Sequence, residues 1–547
     1  MVPMSARLRP ILPVLALTIL LGMAWALADW ARLSRLMLPD TDDAMRLQQV
    51  RDWIDGQAFG DLAQHRLAGG LAMHWSRIGD LVPAAIILLL RPFAGTTDAE
   101  VAAVVLWPLA QFAVLLALVR DVTRRFAPAA GGTALVLIAL AYPASSLFLP
   151  GRIDHHAMQL LLVVVQLRAV LARPSYASGA IAGAAVAVGA GIGLETVPFA
   201  LVTGAIIVLE RLRGDGERQT GFGLTLAAGL ILLAPISAHG GTCDTIEPVM
   251  RYAAAGGLAL AAIGSIDRYR PALLSGCGAA LVLLSWPAVA PCLSGPYASV
   301  DPLVTRLWLR QVAEAQPLFG APLASAIGYV GLLSAGLIAS AVLARRDGGG
   351  WWRLLAYQVA ALAITLFQLR GAYVGAALAV VPIAVLLTQA RAAKETAAVL
   401  GLWIAGAGLA YPLIAGGLAP KAAIAAPSID CAGAAMIDRL KTLPPGTVLS
   451  GIDAGSYILA GTPHSVIAAP YHRNNAGNAA AYRFFLGPPA QAAAIARRWH
   501  VRYIALCPGM FGDVRPPAGS IAAGNVPRWL RPIDGSAALF RVDDLPQ

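Results

Sequence analysis

The chain has 547 residues, of which 58% are hydrophobic and only 13% charged, with a mean hydropathy of +0.67. A soluble protein of this size needs far more polar surface, so the composition excludes that class and implies a polytopic membrane protein. The net charge of +11 would suit nucleic acid, but the arginines fall in short gaps between apolar runs, as the positive-inside bias requires. No basic patch is interleaved with aromatics, so no nucleic-acid partner is expected.

The N-terminal MVPMSARLRP followed by the apolar run 11–28 has the charged start and apolar core of a signal peptide, and Ala26, Leu27 and Ala28 resemble a cleavage site. The run is about eighteen residues long and more spans follow, so an uncleaved first helix is expected, with Arg7 and Arg9 in the cytoplasm. Residues 81–90 are too few to span and are predicted to lie in the interface or re-enter. The run 101–118 then delivers Arg120, Arg124 and Arg125 to the inner side, and 134–148 returns outward, which places Asp154 outside. The run 156–171 leads in to Arg168 and Arg173, and 179–209 is long enough to need a turn near Glu195 before Arg211, Arg213 and Arg218.

Residues 221–236 lead out to HGGTCDTIEP, a short span returns to Arg268 and Arg270, and 272–289 opens a long outer loop ending near Gly320. The run 321–343 comes back to Arg345, Arg346 and Arg353. The runs 354–367 and 373–387 form a hairpin with Arg370 at its outer tip, and a last span over 397–413 leaves the remainder outside. The sum is about thirteen spans. After about Pro420 the composition changes to short β-branched or apolar runs, TVLSGI, HSVIAAP, VRYIALC and AALFRV, with a helical stretch over 489–499. The expected organisation is a membrane domain over 1–420, with a first external loop at 30–100 and a long external loop at 290–320, followed by an external α/β domain over 421–547 with its own core.

The five cysteines are too few for a disulfide scaffold. Cys243 with Cys292, and Cys431 with Cys507, could form two bridges in an oxidising compartment, leaving Cys277 inside a span; four free, buried thiols are the alternative. No zinc-type cysteine spacing is present.

Two outer clusters carry chemistry. LPDTDDAMRLQQVRDWIDGQ places Asp40, Asp42 and Asp43 close to the membrane surface, where carboxylates suit a divalent cation or a proton-accepting role. GRIDHHAMQLLL places Asp154 and His156 where one apolar segment ends and the next begins. Such groups are costly at a membrane boundary unless water, a metal or a substrate meets them, and an imidazole beside a carboxylate suits a metal assembled from two loops.

These motifs, in this order, resemble the catalytic subunit of oligosaccharyltransferase, a membrane glycosyltransferase of the GT-C class. That family has an acidic motif D-P-x-x-x-x-R in its first external loop, similar to Asp40 to Arg46 with Thr41 in place of Pro. It has a second acidic motif after the third span, D-H-H in archaeal members, as in Asp154, His155 and His156. A glutamate motif ends its long external loop, as in QVAEAQP with Glu314, and an arginine at an outer hairpin tip recurs as Arg370 in LRGAYVGAALAVVP. The resemblance covers nearly the whole chain and implies thirteen spans with a C-terminal external domain. It implies that a first-loop aspartate, Asp154, His156 and Glu314 bind a divalent metal, Mg or Mn, and that Arg370 grips the phosphate of a polyprenyl-linked donor. Asp40, Asp42, Asp43 and Glu314 are the catalytic candidates; Asp42, Asp154, His156 and Glu314 are the metal candidates.

One departure concerns the acceptor. The family's W-W-D-Y-G motif, which reads the Ser or Thr of the sequon, corresponds here to SGIDAGSYI, which keeps Asp453 and Gly455 but neither tryptophan. The following APYHRNNAGN offers His472, Arg473 and Asn474, which with Glu195 and Asp453 are weaker candidates for sugar or acceptor contacts. The resemblance thus implies a multi-pass enzyme of the bacterial inner (plasma) membrane, N-terminus cytoplasmic and C-terminal domain periplasmic. Its acceptor is expected to be a lipid, glycan or other envelope component, with protein oligosaccharide transfer, or transport of a lipid-linked saccharide, as alternatives.

Overall fold

Among the described residues of the computed structural model six helices are long and apolar enough to cross a membrane, among them Thr96–Phe126, Arg270–Ser294, Leu323–Asp347 and Gly371–Ala392, and a bent pair taken as one span makes a seventh. Five shorter apolar helices, of 10–17 residues, accompany them. The structure describes residues 11–214, 216–237, 243–418, 430–507, 510–511 and 514–545. The protein is a multi-pass membrane protein with a small mixed sheet toward its C-terminus.

Gly371–Ala392 is the axis of the bundle. It is apolar on every side and nearly all of its residues are buried, whereas Arg270–Val289 has no buried residue and presents its apolar surface outward. Glycines let three further helices approach closely. A Cβ on Gly183 of Tyr176–Ile192 would lie 2.3 Å from the Phe222 carbonyl oxygen of Glu217–Leu233, and one on Gly223 would lie 2.3 Å from the Gly257 carbonyl oxygen of Glu247–Gly264.

Leu81–Ala94 is a separate helix of 14 residues, about 21 Å long and short of a ~30 Å hydrocarbon layer. The long run around Glu195 divides into Tyr176–Ile192, a 3-10 turn Leu194–Thr196 and Val197–Leu212. Two expected spans differ. Residues 134–148 form a helix Gly131–Ala139 and a 3-10 turn Ala144–Phe148, because Pro143 lacks an N–H and restricts Tyr142 before it. Residues 397–413 form Thr396–Gly406 and Ala410–Gly417, bent by 78°. At this bend the Leu409 N–H donates to the Leu140 carbonyl instead of continuing the helix.

The C-terminal sheet has the order β4-β3-β5-β7-β6. Its strands are β3 (Thr447–Leu449), β4 (Ser465–Val466), β5 (Val501–Ala505), β6 (Leu530–Pro532) and β7 (Leu539–Val542). β3 pairs in parallel with β4 and β5, while β7 is antiparallel to β5 and β6. Its core is shared. Val304, Leu307 and Trp308 of the long loop enter one side, and Met45, Leu67, Met73 and Trp75 of the first loop enter the other.

The first loop also closes the sheet edge. Beside its own hairpin, β1 (Ala63–Gln64) and β2 (Leu71–Ala72), residues 66–68 run parallel to β4. Val466 N–H donates to the Arg66 carbonyl and Ala68 N–H to the Val466 carbonyl, both at 2.8 Å. The Arg66 guanidinium donates to the carbonyls of Leu459, Thr462 and His464. Cys243–Cys292 and Cys431–Cys507 are disulfides and Cys277 is free.

Gly183→Val is expected to cost about 1–3 kcal/mol by overpacking a helix contact. Gly204→Val, where a Cβ meets nothing within 4 Å, should stay within ~0.5 kcal/mol. Thermal unfolding in detergent compares the two; equal midpoints would remove the close-packing account.

Candidate active site

Asp40 starts the helix Thr41–Ile54 as its N-cap, its side chain accepting from the Asp42 N–H, and Asp42 and Asp43 fill the first turn, where the helix dipole favours negative charge. Successive helical residues point about 100° apart, so the three carboxylates diverge. Asp40 meets Arg152 at 2.8 Å. Asp43 turns inward, is fully buried, and accepts from the N–H groups of both Ile153 and Asp154 at 2.8 Å. Asp42 turns into a cavity of about 340 Å³ lined also by Asp154, His156, Trp308, Glu314, Tyr373 and Asp453.

Asp154 precedes the helix His156–Leu171 and is buried between two imidazoles. One oxygen takes the His155 N–H at 2.6 Å and ring Nδ1 at 2.5 Å; the other meets His156 Nδ1. Nε2 of His156 is buried, makes no hydrogen bond among the described residues, and lies 4.0 Å from Glu314 Oε1. His155 Nε2 lies 3.7 Å from Glu195. Arg46 is fully buried behind this group, paired with Asp80 at 2.6 Å and 3.9 Å from Asp154, with its guanidinium over the Trp75 ring.

Arg370 sits where the buried axis begins. Its backbone N–H donates to the Glu314 carbonyl, and Leu369 N–H to that of Gln316, so the long loop is stitched to the hairpin tip. Its guanidinium lies 3.6 Å from Glu195 and 3.5 Å from Glu314, with Tyr297 Oη at 3.4 Å. Gln159 donates to Glu195 and Tyr373 donates to Glu314. A second, narrow and largely apolar cleft lies between Leu160, Phe199, Ile364 and Val374, and it shares His156 and Tyr373 with the polar cavity.

The electrostatics suit a cation. Burial, then the carboxylates of Asp154, Asp40 and Glu314, push the Asp42 carboxyl well above its ordinary range. Burial also carries Asp43 up to about 7, against the pull of Arg152. Against the cost of burial, the two histidines hold Asp154 well below the usual range, while Asp154 and then Glu195 raise His155 to about 10. Asp154, His155 and His156 place ligand atoms within 4.8 Å of one another. An orphaned imidazole nitrogen, facing carboxylates that raise one another's affinity for positive charge, fits a divalent metal.

The structure therefore gathers Asp42, Asp154, His156 and Glu314 around one cavity, with Arg370 and Glu195 beside it and Asp453 on its far wall. Asp40 is at its rim and Asp43 behind it. His472 and Arg473 pair with Asp244 outside it, and Asn474 is buried on the Ile467 carbonyl and Asn478. Sequence reasoning did not single out Arg152, Tyr373 or Trp308. Arg152 was legible two residues before Asp154 and Tyr373 one helical turn after Arg370; nothing in the local sequence marks Trp308.

The membrane bundle and its mixed sheet have the fold of a solved membrane oligosaccharyltransferase. In particular, the chain is similar to the archaeal oligosaccharyltransferase AglB from Archaeoglobus fulgidus solved with an inhibitory peptide and a dolichol-phosphate: TM-score 0.62 and 17% identity over 90% of this chain and 69% of that one. The same oligosaccharyltransferase tethered to an acceptor peptide containing the NVT sequon gives 0.59 and 14% over 90% and 68%, and its complex with zinc and sulfate gives 0.53 and 16% over 86% and 64%. No protein-family model matches the chain, and no curated protein matches it in sequence.

Asp43→Ala is expected to destabilise the fold by ~1–3 kcal/mol for each backbone N–H it orphans. The thermal midpoint of the purified protein measures this, and an unchanged midpoint would show that the carboxylate does not tie the two elements.

Proposed function

We propose that this protein is a GT-C glycosyltransferase that moves a sugar or oligosaccharide from a polyprenyl-(pyro)phosphate donor to a hydroxyl of a lipid, glycan or other envelope component. The observation that carries the reading is the meeting of two unlike cavities at His156 and Tyr373: a polar one rich in carboxylates, and an apolar one that opens beside Arg370. A donor with a charged head and a hydrocarbon tail needs both. The dolichol-phosphate bound by the archaeal fold relative supports the same chemistry here.

On this reading Arg370 presents its planar, two-pronged guanidinium to the donor phosphate, which then competes with Glu195 and Glu314 for it. Asp42, Asp154, His156 and Glu314 would hold a divalent ion, Mg or Mn, which when bound supplies positive charge to the departing phosphate. Asp42 accepts the acceptor's proton as its oxygen bonds to the anomeric carbon; the carbon–oxygen bond to phosphate breaks and the phosphate leaves with that electron pair. Trp308 and Asp453 face the acceptor, an aromatic platform and a carboxylate suited to sugar hydroxyls, and Glu195 orients the donor side. A weakly nucleophilic amide would need the sequon grip that SGIDAGSYI lacks.

Counting Leu12–Ala28, Pro128–Ala139, His156–Leu171, Tyr176–Ile192, Val197–Leu212 and Glu247–Gly264 as crossings beside those seven brings the bundle to thirteen spans, with the N-terminus cytoplasmic and both the site and the sheet on the outer, periplasmic face of a bacterial inner membrane.

The deciding assay offers the purified protein Mn²⁺ and a lipid-linked sugar together with both a sequon peptide and a lipid or glycan acceptor. Label is expected on the lipid or glycan and lost on chelation; efficient sequon-dependent labelling of the peptide would overturn the acceptor assignment. Arg370→Lys keeps the charge but is expected to lower kcat by ~10²–10³-fold, as for the loss of one oriented transition-state donor. Wild-type turnover in that variant would make Arg370 an interfacial anchor.

A further inference from the structure

Outside the polar cavity, three segments far apart in sequence bring two imidazoles and a carboxylate together. His74 follows β2 in the first loop, Asp244 follows Cys243 of the disulfide to Cys292, and His472 begins the 3-10 turn His472–Asn474. Their ligand atoms lie within 4.8 Å of one another. His472 Nε2 lies 2.7 Å from Asp244 Oδ2, and the ring centroids of His74 and His472 are 5.0 Å apart. Nδ1 of His74 is buried and makes no hydrogen bond among the described residues. The Trp75 ring separates this group from the Asp154 cluster, 4.9 Å from His74 on one side and 6.0 Å from His155 on the other.

We propose that His74, Asp244 and His472 form a second, transition-metal site, of the kind zinc occupies, which clips the 243–247 loop and the first loop to the C-terminal sheet unit. Two imidazoles and one carboxylate are a borderline-soft donor set that favours zinc over magnesium, which prefers oxygen ligands throughout. Three protein ligands leave one position of a tetrahedral ion for water. Arg473 completes the design from behind: its Nε and a terminal nitrogen grip both Asp244 oxygens at 2.7 Å, and its other terminal nitrogen donates to the carbonyls of Ala72 and Met73, so the carboxylate is oriented and the guanidinium is held toward the first loop. The clip is coupled to the catalytic side. The Tyr297 ring packs edge-on against His472 at 5.2 Å, and its hydroxyl lies 3.4 Å from Arg370. A bound ion would thereby fix the wall on which Arg370 rests.

The rival is a plain polar cluster in which His472 and Arg473 share Asp244 with no metal, and metal counting separates the two. Full-length protein in detergent is stripped with chelator, loaded with ZnCl₂, washed with excess Mg²⁺ and analysed by elemental mass spectrometry, with Asp154→Ala as the background that removes the central carboxylate of the other cluster. Adding His472→Gln or His74→Gln to that background is expected to lower bound zinc by about one equivalent per chain. Zinc content equal with and without these changes would overturn the proposal in favour of the metal-free cluster. Loading with Co²⁺ supplies a check that does not depend on the glutamine variants folding. The Asp154→Ala chain should show the visible bands of a four-coordinate ion, displaced by stoichiometric zinc, and their absence would likewise overturn the site.

Discussion

Two backbone N–H groups, those of Ile153 and Asp154, converge on one buried oxygen of Asp43, and the geometry of the site depends on that tie. It locks the first turn of Thr41–Ile54 onto the start of His156–Leu171. Asp42 and Asp154, from loops more than a hundred residues apart, thereby face the same space. A buried acceptor serving two donors is costly to lose, because each donor would then stand desolvated without a partner. Arg152 completes the joint by bridging Asp40 and Asp43.

The same economy governs the charges around it. Asp154 lies between His155 and His156, Glu195 and Glu314 flank Arg370, and Arg46 is matched by Asp80. Each of these ions has a counter-ion, as the low dielectric demands. Two groups face the cavity instead: Asp42, whose carboxyl is raised by burial and then by its carboxylate neighbours, and His156 Nε2, which makes no hydrogen bond among the described residues. Groups whose charge or lone pair is unmet by the protein are where a ligand gains most.

Much of this was legible in the sequence because ionisable residues at a membrane boundary are few and conspicuous. Asp154, His156 and Arg370 stand where apolar runs end, Glu195 interrupts a run too long for one span, and Glu314 lies in the long outer loop, where the resemblance singled it out. The division of labour among Asp40, Asp42 and Asp43 was not legible, since it depends on the rotation of one helix turn against a distant loop. The break at Pro143 and the bend near Gly408 escaped a hydropathy reading because both lie within apolar stretches, where backbone chemistry and not polarity ends the helix. The pairing of His472 and Arg473 with Asp244 joins segments more than two hundred residues apart, and nothing local announces it.

The strand-like contact of residues 66–68 with β4 bears on how the molecule is made. The first loop is synthesised well before β4 and the carbonyls that receive Arg66, which follow it by 393 to 398 residues. Until then the loop must wait with its backbone groups solvated and Leu67, Met73 and Trp75 uncovered. Closing contacts of such long sequence separation is slow, and an open strand edge invites wrong partners in the meantime. The strand that completes the wall of the site is therefore made long after the first loop, so a chain stalled between the two would hold membrane helices without an assembled centre.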